Sequence, residues 1–410
     1  MMPLKTSTRS LTRRWVSPAR GAGKAGERYG GRGSLATVRT SKEITFVRHG
    51  ESTWNAEGRI QGSSDASTLT EKGKRQAEAT RALISEWEYE ACLRSPLARA
   101  SATADVVWKS REGASDPIDV WDLREIDLYA FEGLLKEDGK DKFGERYAKW
   151  KKDPAEFEID GHYPVRELWE RATTVWRDVL MRQPQSKLLV VAHNAVNQAM
   201  LGVAIGVGPQ YFRRLLQSNC AVSKVIIDEE TFEPNTGRGV SLAYFNETPK
   251  PALGKGKGTA LIQAPTSIEE EGMLTEPVSQ LLLGSQVKCL MHSAHGPSTR
   301  LAEKIFERCS REKEGQCPFE LTVVDSVEEI MGHLKSCEND KGTAFVIHDG
   351  DMCQKFIAHS LGVENEQIFS LSPGALSIIN MSGGPKGEPS LVCLNHALHL
   401  PSKEEETFEM

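Results

Sequence analysis

The feature that most constrains this chain is a set of short apolar and β-branched runs, at residues 44–47, 89–93 and 188–192, each followed by a segment of helical period. Such a run is the length of a strand, and near-continuous apolarity demands cover on both faces of the sheet. After the first run, Thr70 can cap a helix with Glu71 in its opening turn, and Ala77, Thr80, Ile84 and Trp87 follow at spacings of 3, 4 and 3. Helices are expected at 97–110 and 195–206, and a further strand at 222–227. The fold class this implies is α/β: a three-layer sandwich with a mainly parallel sheet covered by helices.

The pattern recurs. The segment beginning at Leu188 lines up with the one beginning at Ala344, with His193 set against His348. Residues 69–93 have a shorter echo at 274–290, and 44–50 (ITFVRHG) aligns with 259–265 (TALIQAP). The expected organisation is a first copy at 42–247, a Pro/Gly/Lys linker at 248–257, a second, degenerate copy of the same fold at 258–400 and an acidic tail at 401–410. The GKGKGT of the linker is not a phosphate-binding loop, because Pro251 stands where its first glycine belongs.

Charge is divided unevenly. Residues 1–41 hold two Lys and seven Arg against one acid, a net of +8, which leaves −14 for the rest of a chain whose formal charge is −6. The basic, Ser- and Gly-rich segment has no apolar core of the kind a secretory signal needs. It is expected either to target an organelle, the chloroplast stroma or alternatively the mitochondrial matrix, or to be a disordered basic arm. The acidic remainder disfavours nucleic acid as a partner, and no apolar run approaches a membrane span. The eight cysteines include no CxxC pair, so neither a zinc site nor a disulfide framework is expected.

Three chemically capable segments follow three strands: Arg48-His49-Gly50, residues 95–99, and His193. In an open parallel sheet ligands bind at the carboxyl ends of strands, so all three can face one crevice. The blocks V47-R48-H49-G50-E51-S52-T53-W54-N55, G58-R59-I60-Q61-G62, 95–104 (SPLARASATA), L123-R124-E125-I126-D127 with F131-E132-G133, and V190-V191-A192-H193 resemble the histidine phosphatase superfamily, of the phosphoglycerate mutase-like fold. The resemblance spans residues 44 to about 228 and implies a phosphohistidine reaction on a small phosphorylated molecule, with neither cofactor nor metal. It makes His49 the nucleophile and Glu125 the acid and base, with Asp127 and Glu132 as neighbouring carboxylates. Arg48, Asn55, Arg99 and His193 would bind the phosphate, with Ser52, Gln61 and Gly62 at the lip of the site. The chemistry agrees: a phosphomonoester dianion needs preorganised cations around its oxygens and a nucleophile in line with the leaving group.

Mutases of this superfamily carry E-R-H-Y-G after the acid, whereas here Glu125 is followed by Ile126-Asp127-Leu128-Tyr129-Ala130, an aliphatic and an acid in place of a cation. That favours hydrolysis over phosphate retention. Arg59 faces either substrate or solvent. His162 and Arg166 could pair with a substrate carboxylate, or could belong to an ordinary ion-paired helix start. In the second copy Arg48-His49-Gly50 becomes Gln263-Ala264-Pro265, and no Arg matches Arg99; His348 would remain as a lone phosphate ligand. That half is expected to be catalytically dead and to serve stability, regulation or homo-oligomerisation. His292, His295 and His348 lack the spacing of metal ligands.

Overall fold

The computed structural model of the chain describes residues 40–109, 115–249, 258–265, 267–283, 287–313, 317, 319–336, 343–382 and 384–397. The basic segment up to residue 39, most of the linker and the acidic tail lie outside the described residues.

The first half runs β1 (Ser41–Arg48), the single-turn α1 (Thr53–Ala56), α2 (Glu71–Leu83), β2 (Ala91–Arg94), α3 (Ala98–Trp108), β3 (Ile118–Asp119), α4 (Gly139–Lys152), α5 (Pro164–Thr174), β4 (Lys187–Ala192), α6 (Asn194–Ile205), β5 (Val222–Asp228) and β6 (Val240–Glu247). Thr70 caps α2 as its position predicts, its Oγ1 accepting the Gly73 N–H at 3.0 Å. The second half follows with β7 (Gly258–Gln263), α7 (Ile268–Leu283), β8 (Val287–His292), α8 (Pro297–Glu312), β9 (Glu320–Val323), α9 (Val327–Ser336), β10 (Thr343–His348), α10 (Gly350–Leu361), β11 (Ala375–Asn380) and β12 (Ser390–Ala397).

The twelve strands among the described residues form one sheet, ordered β3-β2-β4-β1-β5-β6-β12-β11-β7-β10-β8-β9. Read inward from either edge, the order is the same once each strand is replaced by its counterpart in the other half. The copies therefore share a topology and are joined edge to edge in a continuous sheet. β3, β2, β4 and β1 are parallel, while β5 and β6 run antiparallel to their neighbours. Alternate residues of β1 enter opposite layers: Ile44 and Phe46 pack with residues of α5 and α6 such as Leu168 and Met200, and Val47 packs with Ala77 of α2 and Val107 of α3. The α5/α6 layer continues across the join into α9 and α10 through Ile330, Phe356 and Ile357.

The join has local twofold symmetry. Phe245 of β6 pairs with Leu394 of β12. On one side Asn246 donates Nδ2 to Val392 O at 2.7 Å, and on the other Asn395 donates Nδ2 to Ala243 O at 2.6 Å. The Oδ1 of Asn246 accepts the Ser218 N–H and that of Asn395 the Ser372 N–H. Both asparagines sit at positive φ, +52° and +59°.

Register corrects one expectation. Helices α6 and α10 both run twelve residues to a left-handed glycine, Gly206 and Gly362. Counting back places His193 opposite Asp349, each the N-cap of its helix, and places His348 opposite Ala192. Strand pairing agrees, because Arg48 pairs with Ala192 as Gln263 pairs with His348. Matching histidine to histidine slips the strand by one residue, which would turn every side chain to the wrong face. At the start of α8, the strand register sets Pro297 at the place of Arg99 in α3, so no cation stands there. The second copy has thus lost both arginines and both histidines, and an acid stands where the second histidine should be. Of the seven cysteines among the described residues, all but Cys317 are buried.

Candidate active site

The ends of β1, β2 and β4 converge on one buried point. His49, 2% exposed, follows β1 directly, and its ring lies 5.1 Å from that of His193 in an edge-on arrangement. Gly50 lets the chain turn away under α2, because a Cβ there would lie 2.4 Å from the Gly73 carbonyl oxygen. The His49 Nδ1–H donates to Gly50 O at 2.7 Å, which leaves the Nε2 lone pair for chemistry. Burial, reinforced by the charges of Arg48 and Arg99, holds this ring well below the ordinary histidine range, so it is neutral at pH 7.

His193 is fully buried, and its Nε2 lies 2.7 Å from Ser95 Oγ. Ser95 Oγ also accepts the Leu97 N–H, and in the tautomer that takes the hydroxyl proton on His193 Nε2 the His193 proton sits on Nδ1. Burial, then the charge of Arg99, lowers this ring as well.

Two guanidinium groups complete the positive wall. Arg99 is fully buried and donates Nη1 to Ser64 O at 2.7 Å and Nη2 to Gly62 O at 2.9 Å. Gly62 is in the left-handed region at φ +54°, and a Cβ there would lie 2.3 Å from the Glu132 carboxylate, so only glycine presents its carbonyl this way. Arg48 donates Nη1 to Gln217 O at 2.5 Å. Desolvation brings it down to about 10, partly offset by the charge of Glu125, so it remains a cation at pH 7. Arg48 Nε, Arg99 Nε and His193 Nδ1 are all buried and find no hydrogen-bond partner among the described residues. Three unpaired donors around one neutral imidazole are costly in isolation and suit an incoming anion with several oxygens.

Glu125, 9% exposed, lies against the start of α6: its oxygens accept N–H from Ala195 (3.1 Å), Val196 (3.0 Å) and Ile126 (3.0 Å). The other two carboxylates near it in sequence are occupied elsewhere, Asp127 with Arg124 and Arg171, and Glu132 with the N–H groups of Ser63 and Leu128.

The remaining expected residues divide. Asn55 is the third residue of α1, its Oδ1 accepting the Ser52 N–H and Asn219 Nδ2 at 3.3 Å. Ser52 is wholly buried as the N-cap of α1 and donates Oγ to Gln61 Oε1 at 2.9 Å, so this pair braces the loop. Arg59 bonds Glu57 and Gly133 O. His162 stacks on Tyr129 at 4.6 Å and pairs with Glu167, while Arg166 pairs with Glu156 and lies over the Tyr163 ring. Both are engaged in local pairs at the start of α5.

Four further residues hold the site, and apart from Ser95, which opens the 95–104 block, they lie outside the blocks picked out in the sequence. Ser95 orients His193; Arg171 of α5 donates Nη2 to the carbonyls of Arg124 and Glu125, both at 3.0 Å; Gln217 O holds Arg48; Asn219 Nδ2 donates to His49 O at 3.0 Å. Among the described residues, no group of three or more His, Cys, Asp and Glu side chains could hold a metal ion, and no helix is long and apolar enough to cross a membrane.

The sequence profile of the histidine phosphatase superfamily (branch 1) matches residues 44–236. A probable 2-carboxy-D-arabinitol-1-phosphatase of Arabidopsis thaliana is 36% identical, with 89% of each chain covered. A 2-carboxy-D-arabinitol-1-phosphatase of Triticum aestivum is 34% identical over 91% of this chain and 90% of its own. A probable phosphoglycerate mutase of Cronobacter sakazakii is 32% identical over 45% of this chain and 84% of its own.

Proposed function

This chain belongs to the histidine phosphatase superfamily and is a phosphatase, and on that premise we propose that it hydrolyses a small sugar or sugar-acid phosphate monoester through a phosphohistidine on His49, with 2-carboxy-D-arabinitol 1-phosphate as the substrate. The observation that carries the mechanism is the set of three buried nitrogens, Arg48 Nε, Arg99 Nε and His193 Nδ1, without partners among the described residues beside a neutral His49 whose Nδ1, not Nε2, is held by Gly50 O. Phosphate oxygens bound there present phosphorus to His49 Nε2. The N–P bond forms as the P–O bond to the sugar breaks, and Glu125 gives its proton to the departing alkoxide. Water then attacks phosphorus, Glu125 takes a proton from it, the N–P bond breaks and inorganic phosphate leaves.

The substrate reading is supported by the two plant relatives, whose similarity covers about nine-tenths of the chain, 89% and 91%, whereas the mutase similarity covers 45%. A second reading, broad specificity or another sugar bisphosphate, is favoured by one observation: His162 and Arg166, the candidate carboxylate readers, are already tied to Glu167 and Glu156. The test is phosphate release from 2-carboxy-D-arabinitol 1-phosphate, fructose 2,6-bisphosphate, 3-phosphoglycerate and p-nitrophenyl phosphate, with His49→Ala as control and trapping of labelled phosphate on the protein. Selective release from the carboxylated sugar, lost in the control, is expected. Equal slow release from all four would leave the mechanism and remove the substrate, and activity surviving in His49→Ala would remove the mechanism.

A further inference from the structure

Residues 212–220 link the nucleophile to the second half. Arg214, 8% exposed, donates Nε to Pro389 O at 2.7 Å and Nη2 to Leu361 O at 3.1 Å and Ser360 O at 3.4 Å. Ser360 and Leu361 end α10, so this cation meets the carbonyl end of a helix, where the dipole is negative. Leu391 returns its N–H to Arg214 O at 2.9 Å. Further along, Ser218 N–H binds Asn246 Oδ1 at 2.6 Å, and Asn246 Nδ2 reaches across the join to Val392 O. Within and just beyond these anchors lie the contacts to the site: Gln217 O on Arg48 Nη1, Asn219 Nδ2 on His49 O, and Cys220 N–H on Arg48 O at 3.0 Å.

The loop needs external support. Arg213 and Cys220 are non-glycine residues at φ +71° and +57°, a strained backbone that persists only where its surroundings over-determine it. Part of that determination comes from α10 and from residues 389–392, in a half that has lost its own phosphate-binding residues. We infer that the second half is the rigid backing of this loop, and that Arg214 is the positioning residue through which it orients Arg48 and His49. The inference rests on reading Arg48 and His49 as the phosphate site, and it gives the degenerate copy a role in the chemistry of the intact one.

The experiment is Arg214→Gln in the full chain. A tenfold or greater loss of kcat/KM is expected, together with a similar weakening of inhibition by orthovanadate, a probe of the phosphate pocket that general destabilisation would leave alone in the folded fraction. Arg214→Lys, which keeps the charge without the three-carbonyl fork, should recover part of both. Lys386→Ala removes the exposed ion pair to Asp153 at 2.9 Å, another link between the halves, and should change neither. Should Arg214→Gln fail to fold, Asn246→Gly serves, because glycine suits φ +52° and the variant loses only the side-chain bridge from Ser218 N–H to Val392 O that ties the loop to the second half. Folded variants at both positions with unchanged kcat/KM and unchanged vanadate inhibition would overturn the inference. Absence of phosphate release or trapped phosphohistidine in the unmodified chain would instead overturn the reading of the site.

Discussion

His49 and His193 are buried, neutral and close to two guanidinium groups, and that combination sets a pH dependence. In the folded chain both rings titrate well below 6.5, whereas in the unfolded chain they take up protons near that value. Below about pH 6.5 the unfolded state binds more protons, so stability falls as pH falls, by about 1.4 kcal/mol per pH unit for each ring. Urea unfolding between pH 7.5 and 5.5 should show this slope, and His193→Gln should remove one ring's share; an unchanged slope in the variant would contradict it. These residues were legible because Arg48 and His49 are adjacent and each chemical segment follows an apolar run. Ser95 within its block, Arg171, Gln217 and Asn219 were not singled out, since they act through long-range hydrogen bonds that no local pattern encodes.

At the scale of elements, the start of α6 does two jobs. Its first N–H groups lack intrahelical partners, and Glu125 supplies acceptors for Ala195 and Val196 from a loop seventy residues earlier. The carboxylate is thereby fixed in place, and the helix gains a cap that its own N-cap, His193, does not provide. Glu125→Gln keeps one acceptor oxygen and loses the acid. Hydrolysis of an alkyl phosphate should fall by about 10²- to 10⁴-fold, and that of p-nitrophenyl phosphate, whose leaving group needs no proton, should fall less. An equal loss on both substrates would assign Glu125 to binding rather than proton transfer. Glu125→Ala should in addition cost about 0.5–2 kcal/mol of stability through the lost cap. The helices themselves were readable from period and caps, as at Thr70. The register of the second copy was not, because a histidine one residue out of place is more conspicuous than a count back from Gly362.

For the whole molecule, the repeat was readable because strand and helix succeed one another in the same order twice, but a single chain does not reveal which sheet edges meet. The edge-to-edge join depends on β6 and β12, whose pairing is between segments about 150 residues apart. One buried apolar layer passes through that join. Calorimetry of the full chain should therefore show one unfolding transition, with calorimetric and van't Hoff enthalpies in agreement; two resolved transitions would mean that the halves are energetically separate. The twofold axis through Phe245 and Leu394 has a genetic consequence as well. In an assembly of two identical chains every substitution is made twice, so neither partner can abandon its chemistry while the other keeps it. Here the two partners are written at separate positions of one chain. Asp349 can replace a phosphate-binding histidine without touching His193, and a copy released from catalysis is left free to specialise as support.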